Sequence, residues 1–209
     1  VHVFGLTGGL ASGKGVVSAR FAARGVPVIN ADELARAVVV RGSDGLAAVV
    51  ETFGASMLDT RGELDRRKLA ARVFGDPVAR KQLERITHPR IQRLMQKRVD
   101  EFGRKGQPLV CYEAPILVEV GSVEHLRPLV VVAATEAHQI ARAQMRDGMS
   151  ETEAKRRIAA QLPLAEKTKV ADFVIDNDGS LAEAEAEADR VLDAICERFA
   201  IAPGRYPRP

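Results

Sequence analysis

An open α/β sheet of parallel strands is the fold this sequence predicts, and three observations carry the prediction. Five short apolar runs rich in β-branched residues recur along the chain, helix-like stretches separate them, and a glycine-rich turn joins the first run to the first helix. Continuous apolar runs suit strands covered on both faces, and alternation of strands with helices is the pattern of a parallel sheet.

The runs are Val1 to Leu6, Val26 to Ile29, Leu109 to Tyr112, Leu129 to Ala133 and Phe173 to Ile175. Gly13 to Ala23 reads as the helix after the first strand, and Asp32 to Val39 as the helix after the second. A long stretch then precedes the third strand, with helical spacing in Leu69, Val73, Leu83, Ile86, Ile91, Leu94 and Val99. At about 70 residues it is too long for an ordinary crossover, so an inserted helical subdomain is expected over about 41–105, within a core of 1–40 and 106–209. His88 precedes Pro89, which predicts a helix boundary there. Ser150 to Glu153 has the form of a capping box opening a helix to about Gln161, closed off by Pro163. The last helix, from about Leu181, sets Leu181, Ala184, Ala188, Val191, Ile195 and Phe199 on one face and Glu183, Glu185, Glu187 and Asp189 on the other. The tail Pro203 to Pro209 reads as frayed.

Composition narrows the function classes. At about 150 residues per domain, 209 residues fit one large domain or a core with an insertion. With 46% hydrophobic and 28% charged residues the chain reads as globular and soluble. No apolar run approaches the roughly 18 residues that span a bilayer, and the first residues lack the pattern of a signal peptide, so a cytoplasmic protein with no membrane partner is expected. Cys111 and Cys196 make no disulfide framework or metal cluster, and His2, His88, His125 and His138 show no ligand spacing. The net charge of +3 conceals a division. Arg61 to Lys105 holds 14 basic against 6 acidic residues, whereas Asp172 to Glu197 holds 1 against 9. The basic segment could meet an anionic ligand, and solvated helix faces are the plainer reading of it. Aromatic residues make up 4% and Trp is absent, which argues against a base-stacking platform; no nucleic-acid partner is expected.

The strongest local signal is Gly8-Gly9-Leu10-Ala11-Ser12-Gly13-Lys14-Gly15, between a strand and a helix. Glycines let the backbone curl so that several N–H groups converge on a phosphate, the helix adds its positive end, and Lys14 reaches the β- and γ-phosphates. The residue after the lysine is normally Ser or Thr, whose hydroxyl ligates Mg²⁺. Here Gly15 and then Val16 follow, and neither side chain can ligate.

Candidate acids stand where α/β sheets present chemistry, at strand C-terminal ends. Asp32 follows the second strand, where it could equally cap the next helix. Glu113 closes the third; a buried, unpartnered carboxylate is costly, so a metal-linked role through water is its expected reading. Arg142 and Arg146 are four apart, on one helical face, and guanidinium groups suit transferring phosphates.

These residues, in this order, resemble the dephospho-coenzyme A kinase family from Phe4 to Leu181. The matching stretches are Gly5 to Gly9 through Lys14, Val28 to Asp32 with Ala35-Arg36, Gly62 to Arg66, Leu83 to Pro89, Ala114 to Glu119, Arg142 to Gly148, Arg157 to Gln161 and Ala171 to Gly179. The resemblance implies a phosphate-loop (P-loop) nucleotide kinase: a five-stranded parallel sheet flanked by helices, with an inserted coenzyme A-binding subdomain and a lid over about 138–168. It implies Mg²⁺-dependent transfer of the γ-phosphate of ATP to the ribose 3′-hydroxyl of dephospho-coenzyme A. It assigns the ATP phosphates to Gly8, Gly9, Leu10, Ala11, Ser12, Gly13, Lys14, Gly15 and Val16. Arg142 matches the lid arginine, with Arg146 assisting, and Asn177 falls in the loop associated with adenine. Asp32 matches the carboxylate that accepts the 3′-hydroxyl proton, and Arg66 and His88 match acceptor-domain motifs.

Three positions depart from the family pattern. Gly15 and Val16 replace Ser/Thr-type residues, Asn30 replaces the usual Asp, and Glu113 stands where Asp is common. Two alternatives stay open at this point: a non-catalytic nucleotide-binding module, motivated by Gly15, and another small-metabolite kinase.

Overall fold

The five apolar runs form five strands of one sheet in this computed structural model. The structure describes every residue except Val120 and Pro203, and the side chain of Ser122 is also outside the description. In chain order the elements are β1 (His2–Gly8), α1 (Lys14–Ala23), β2 (Val28–Asn30), α2 (Ala31–Ala37), α3 (Asp44–Phe53), α4 (Arg66–Val73), α5 (Pro77–Arg104), β3 (Leu109–Glu113), β4 (Leu129–Ala133), α6 (Glu136–Asp147), α7 (Glu151–Ala159), α8 (Leu164–Lys169), β5 (Phe173–Asp176) and α9 (Leu181–Arg198). The chain divides into two units, one of Val1–Ile29 with Phe102–Pro209 and one of Asn30–Glu101.

In the first unit the strand order is β2-β3-β1-β4-β5. Burial follows position: Leu109 to Tyr112 and Leu129 to Val132 are enclosed on the inner strands, whereas edge strand β5 alternates, with Val174 exposed. This is what a parallel sheet covered on both faces requires. The core joins Phe4, Leu6, Val17, Phe21, Leu109, Val130, Val132, Ile175, Leu192 and Ile195, with Phe4 and Phe21 in edge-to-face contact at 5.6 Å. Each such fully buried side chain stabilises the fold by about 1.5–3 kcal/mol. Register aligns Leu6 with Glu113, Gly8 with Val132 and Ala133 with Asp176. Glu113, the turn after Gly8 and the segment after Asp176 therefore share the C-terminal edge, where open α/β sheets bind ligands.

Helix ends depart from the sequence reading in instructive ways. Ser150 caps α7 by accepting from Glu153 N–H at 3.2 Å, but the Glu153 carboxylate pairs with Arg156 and Arg157 at 2.6 and 2.8 Å. The full capping box forms at Ser180 and Glu183, opening α9. Asp189 does not share the outer face of α9 with Glu183 and Glu187. It is buried, bonded by Arg20 Nε and Nη2 at 3.0 and 2.6 Å and by Arg24 Nη1 at 3.4 Å, because two guanidinium groups beneath it compensate its charge. The tail after the undescribed Pro203 is not frayed either. Tyr206 is buried, its carbonyl accepts from Arg24 Nε at 3.0 Å, and its hydroxyl donates to Gln107 at 3.0 Å.

The second unit is helical. Its core gathers Val38, Val39, Val49 and Leu69 against Leu64, Val73, Leu83, Ile86, Ile91 and Leu94, so the helical spacing marks true inward faces. His88 is not at a boundary: α5 runs through Pro89. Proline removes the N–H that would reach Arg85 and crowds the preceding turn. The Ile86 carbonyl in that turn is satisfied by Arg90 Nη1 at 2.7 Å, and Thr87 Oγ1 donates to Leu83 O at 2.9 Å. The apolar contacts on both sides of Pro89 keep the helix continuous.

Candidate active site

The loop from Gly8 to Lys14 is a backbone curl held by three side chains. Gly13 caps α1 with φ of 98°, and Ala11 has φ of 49°, a left-handed conformation rare for a residue with a β-carbon. Strained backbone persists only where its surroundings over-determine it. Here Asn177, itself buried, donates from Nδ2 to Ser12 O at 2.7 Å. Arg142 donates to the same carbonyl at 3.5 Å and to Asn177 O at 2.6 Å. At Leu10, Gln161 Oε1 accepts from the backbone N–H at 2.8 Å.

The glycines of the motif are close approaches. A β-carbon at Gly8 would lie 2.6 Å from Ser12 Oγ and from Val132 O, and one at Gly9 would lie 2.4 Å from Gln139 Nε2. Gly15 is different: a β-carbon there would meet nothing within 4 Å. The space for a hydroxyl exists, and the side chain does not.

The electrostatics favour an anion. The first turn of α1 carries no acidic residue, so its positive end is uncompensated. Lys14 Nζ donates to Gly8 O and Gly9 O, both at 2.9 Å, which sets the ammonium over the loop. Arg142 reaches Ser12 O of the same loop from α6. Arg146, one turn on, is exposed and pairs with Asp147 at 2.7 Å. The helix bearing Arg142 is anchored by Asp178, whose Oδ1 accepts from Thr135 N at 2.8 Å and from Thr135 Oγ1 at 3.0 Å and sits 2.6 Å from His138 Nδ1. The Thr135 N–H, with His138 adding to it, holds the Asp178 carboxyl below the usual carboxylate range.

The structure thus brings Gly8 to Val16, Arg142 and Asn177 together, with Glu113 on the same sheet edge. Glu113 is half-buried rather than enclosed, which removes the burial argument made for it from sequence. Asp32, Arg66 and His88 belong to the second unit, and all three are exposed. There Asn30 caps α2, its Oδ1 accepting from Asp32 N at 2.8 Å and Glu33 N at 3.3 Å, so Asp32 itself does not serve as the cap.

Sequence reasoning assigned no role to Gln161 or Gln139, which wall the loop, because no periodicity marks a side chain that meets a distant loop. Both line a cavity of about 340 Å³ beside Gly9, with Leu162 and the buried Lys167.

Among the described residues no group of three or more acidic, His or Cys side chains could hold a metal ion. A Mg²⁺ carried on nucleotide phosphates needs only one or two protein groups, often through water. Glu113 fits that modest demand, and Gly15 supplies nothing to it.

A parallel sheet with a glycine-rich loop, its lysine and a facing arginine defines the class: a phosphate-loop kinase. The dephospho-CoA kinase family model matches residues 2–183. A dephospho-CoA kinase of Anaeromyxobacter dehalogenans is 46% identical over 192 residues, covering 92% of this chain and 91% of that one. A Thermus thermophilus crystal structure aligns with a TM-score of 0.82 at 34% identity, covering 93% and 98% of the two chains. The dephospho-CoA kinase structure from Campylobacter jejuni gives 0.69 at 27% identity, covering 94% and 98%. The chain belongs to the dephospho-CoA kinase family.

Proposed function

We propose that this protein transfers the γ-phosphoryl group of ATP to the ribose 3′-hydroxyl of dephospho-CoA, giving CoA and ADP. The observation that carries the reading is the loop held by Asn177, Arg142 and Gln161 with Lys14 over it, in a chain of this family. Phosphoryl transfer needs little covalent chemistry from the protein and depends on positioning and charge stabilisation. The loop N–H groups and the start of α1 bind the phosphates, and Lys14 and Arg142 balance the charge that spreads over the transferring oxygens. The bond from the γ-phosphorus to the ADP oxygen breaks as a bond to the 3′-oxygen forms.

Asp32 accepts the proton released by that hydroxyl, in this proposal, and Arg66 and His88 bind the acceptor within a unit rich in Lys and Arg. Asn177 supports the ATP site by bracing Ser12, and Arg146 adds positive charge along α6. The segment over 138–168 serves as lid, excluding water so that ATP is not hydrolysed. Mg²⁺ would be held by ATP oxygens and, through water, by Glu113, and would supply charge neutralisation at the β- and γ-phosphates. Gly15 would offer that ion no side-chain ligand. Among the described residues no helix is long and apolar enough to cross a membrane. With ATP as donor the proposal places the reaction in the cytoplasm.

A panel of acceptors with ATP and Mg²⁺ tests the substrate. Dephospho-CoA should support ADP release far above the rate with nucleoside monophosphates or shikimate; equal rates with every acceptor would sink the assignment. In the same assay Asp32→Asn should lower kcat by about 10²–10⁴-fold with little change in KM for ATP.

A further inference from the structure

Gln161 lies 151 residues from Leu10 in sequence, yet its Oε1 accepts the Leu10 N–H at 2.8 Å. A β-carbon on the neighbouring Gly9 would come within 3.6 Å of the same oxygen. The contact falls on the stretch that includes the strained Ala11. Such a strained stretch persists only where its surroundings over-determine it. Asn177 and Arg142 hold it at Ser12 O, and Gln161 holds it at Leu10 N.

Gln161 is itself held. The next residue, Leu162, donates its N–H to Glu119 Oε1 at 3.2 Å. The same oxygen takes Lys167 Nζ at 2.6 Å, and Lys167, only 1% exposed, also reaches Pro115 O at 3.4 Å. Lys167 is buried and Glu119 is the exposed partner, so losing Glu119 would leave a buried ammonium uncompensated, and residues 161–167 are fastened to the segment after β3. The segment that follows α7 is therefore tied to the sheet edge by an ion pair and to the phosphate loop by one amide oxygen.

We propose that Gln161 is a positioning residue for the nucleotide: it holds the Leu10 N–H so that the loop keeps its phosphate-ready curl, and the Lys167–Glu119 pair sets where Gln161 stands. The inference rests on the kinase reading of the loop. Without the acceptor oxygen, Leu10 N–H loses its partner and the loop loses one of its three ties.

Gln161→Leu and Gln161→Met both remove the acceptor, and the second keeps side-chain length. Calorimetric titration with ATP should show Kd raised about tenfold in both, the effect of about 1.4 kcal/mol. KM for dephospho-CoA should stay near wild type, and the Leu10 amide should exchange with solvent faster. Unchanged ATP affinity in folded variants would overturn the proposal, as would lost stability with an unaltered Leu10 exchange rate. Failure of the wild-type protein to make CoA would instead strike the kinase reading, and the ATP titrations would still decide the role of Gln161.

Discussion

Gly13 and Asn177 are packed so closely that a β-carbon on the first would lie 1.8 Å from Nδ2 of the second. That carboxamide also bonds Ser12 O, so the glycine of the phosphate loop and the asparagine after β5 are one assembly. The nucleotide loop is shaped as much by residue 177 as by its own glycines.

Gly13→Ala should therefore be severe. The left-handed backbone, with φ of 98°, alone costs an alanine about 1–2 kcal/mol, and the overlap with Asn177 adds to it. A lowered Tm together with loss of ATP binding by calorimetry is the expected result; wild-type ATP affinity would separate Asn177 from the loop.

Gly15→Ser should act in the opposite direction. The site has room for the side chain, and serine is the better helix residue by about 0.5 kcal/mol. The Mg²⁺ concentration giving half-maximal activity should fall several-fold. An unchanged Mg²⁺ titration would mean that the missing hydroxyl is irrelevant to the ion.

The anchor at Asp178 carries a pH signature. Its carboxyl is held below the usual range in the folded protein, chiefly by the Thr135 N–H, so its contribution is full above the ordinary aspartate pKa. That contribution is lost as pH falls through the ordinary value towards the lowered native one. Thermal stability followed down through that window should decline less steeply in Asp178→Asn than in wild type. Parallel curves would remove Asp178 from the account.

Asp189→Ala should destabilise the first unit by about 3–5 kcal/mol, because it leaves the buried Arg24 guanidinium without its enclosed partner. Chemical denaturation measures this directly, and kcat in the folded variant should be near wild type. A change below about 1 kcal/mol would mean that Asp193 and Tyr206 O suffice for Arg24.

What sequence could and could not disclose follows from the range of the forces involved. The strands were legible because burial on both faces leaves uninterrupted β-branched runs such as Leu129 to Val132. The phosphate loop was legible because its glycines and lysine are adjacent. Asp189 was misread because an acidic residue on an acidic helix looks solvated until Arg20 and Arg24 come beneath it. Pro89 was misread because proline's local penalty is visible and the packing that outweighs it is not. Gln161 fell within a matching stretch but was given no role, since its contact exists only once the segment after α7 has been brought to Leu10. Asn30 has a structural outcome that sequence did not reveal: it caps α2, leaving Asp32 exposed in the first turn.

One product analysis tests the kinase assignment most directly. The wild-type protein, incubated with ATP, Mg²⁺ and dephospho-CoA, should yield ADP and a CoA whose new phosphate is identified by mass spectrometry and phosphorus NMR on the ribose 3′-oxygen. Replacing Lys14 with alanine should abolish that product. ADP formed without CoA, a phosphate on any other oxygen, or CoA formed equally well by Lys14→Ala would contradict the mechanism drawn from this site.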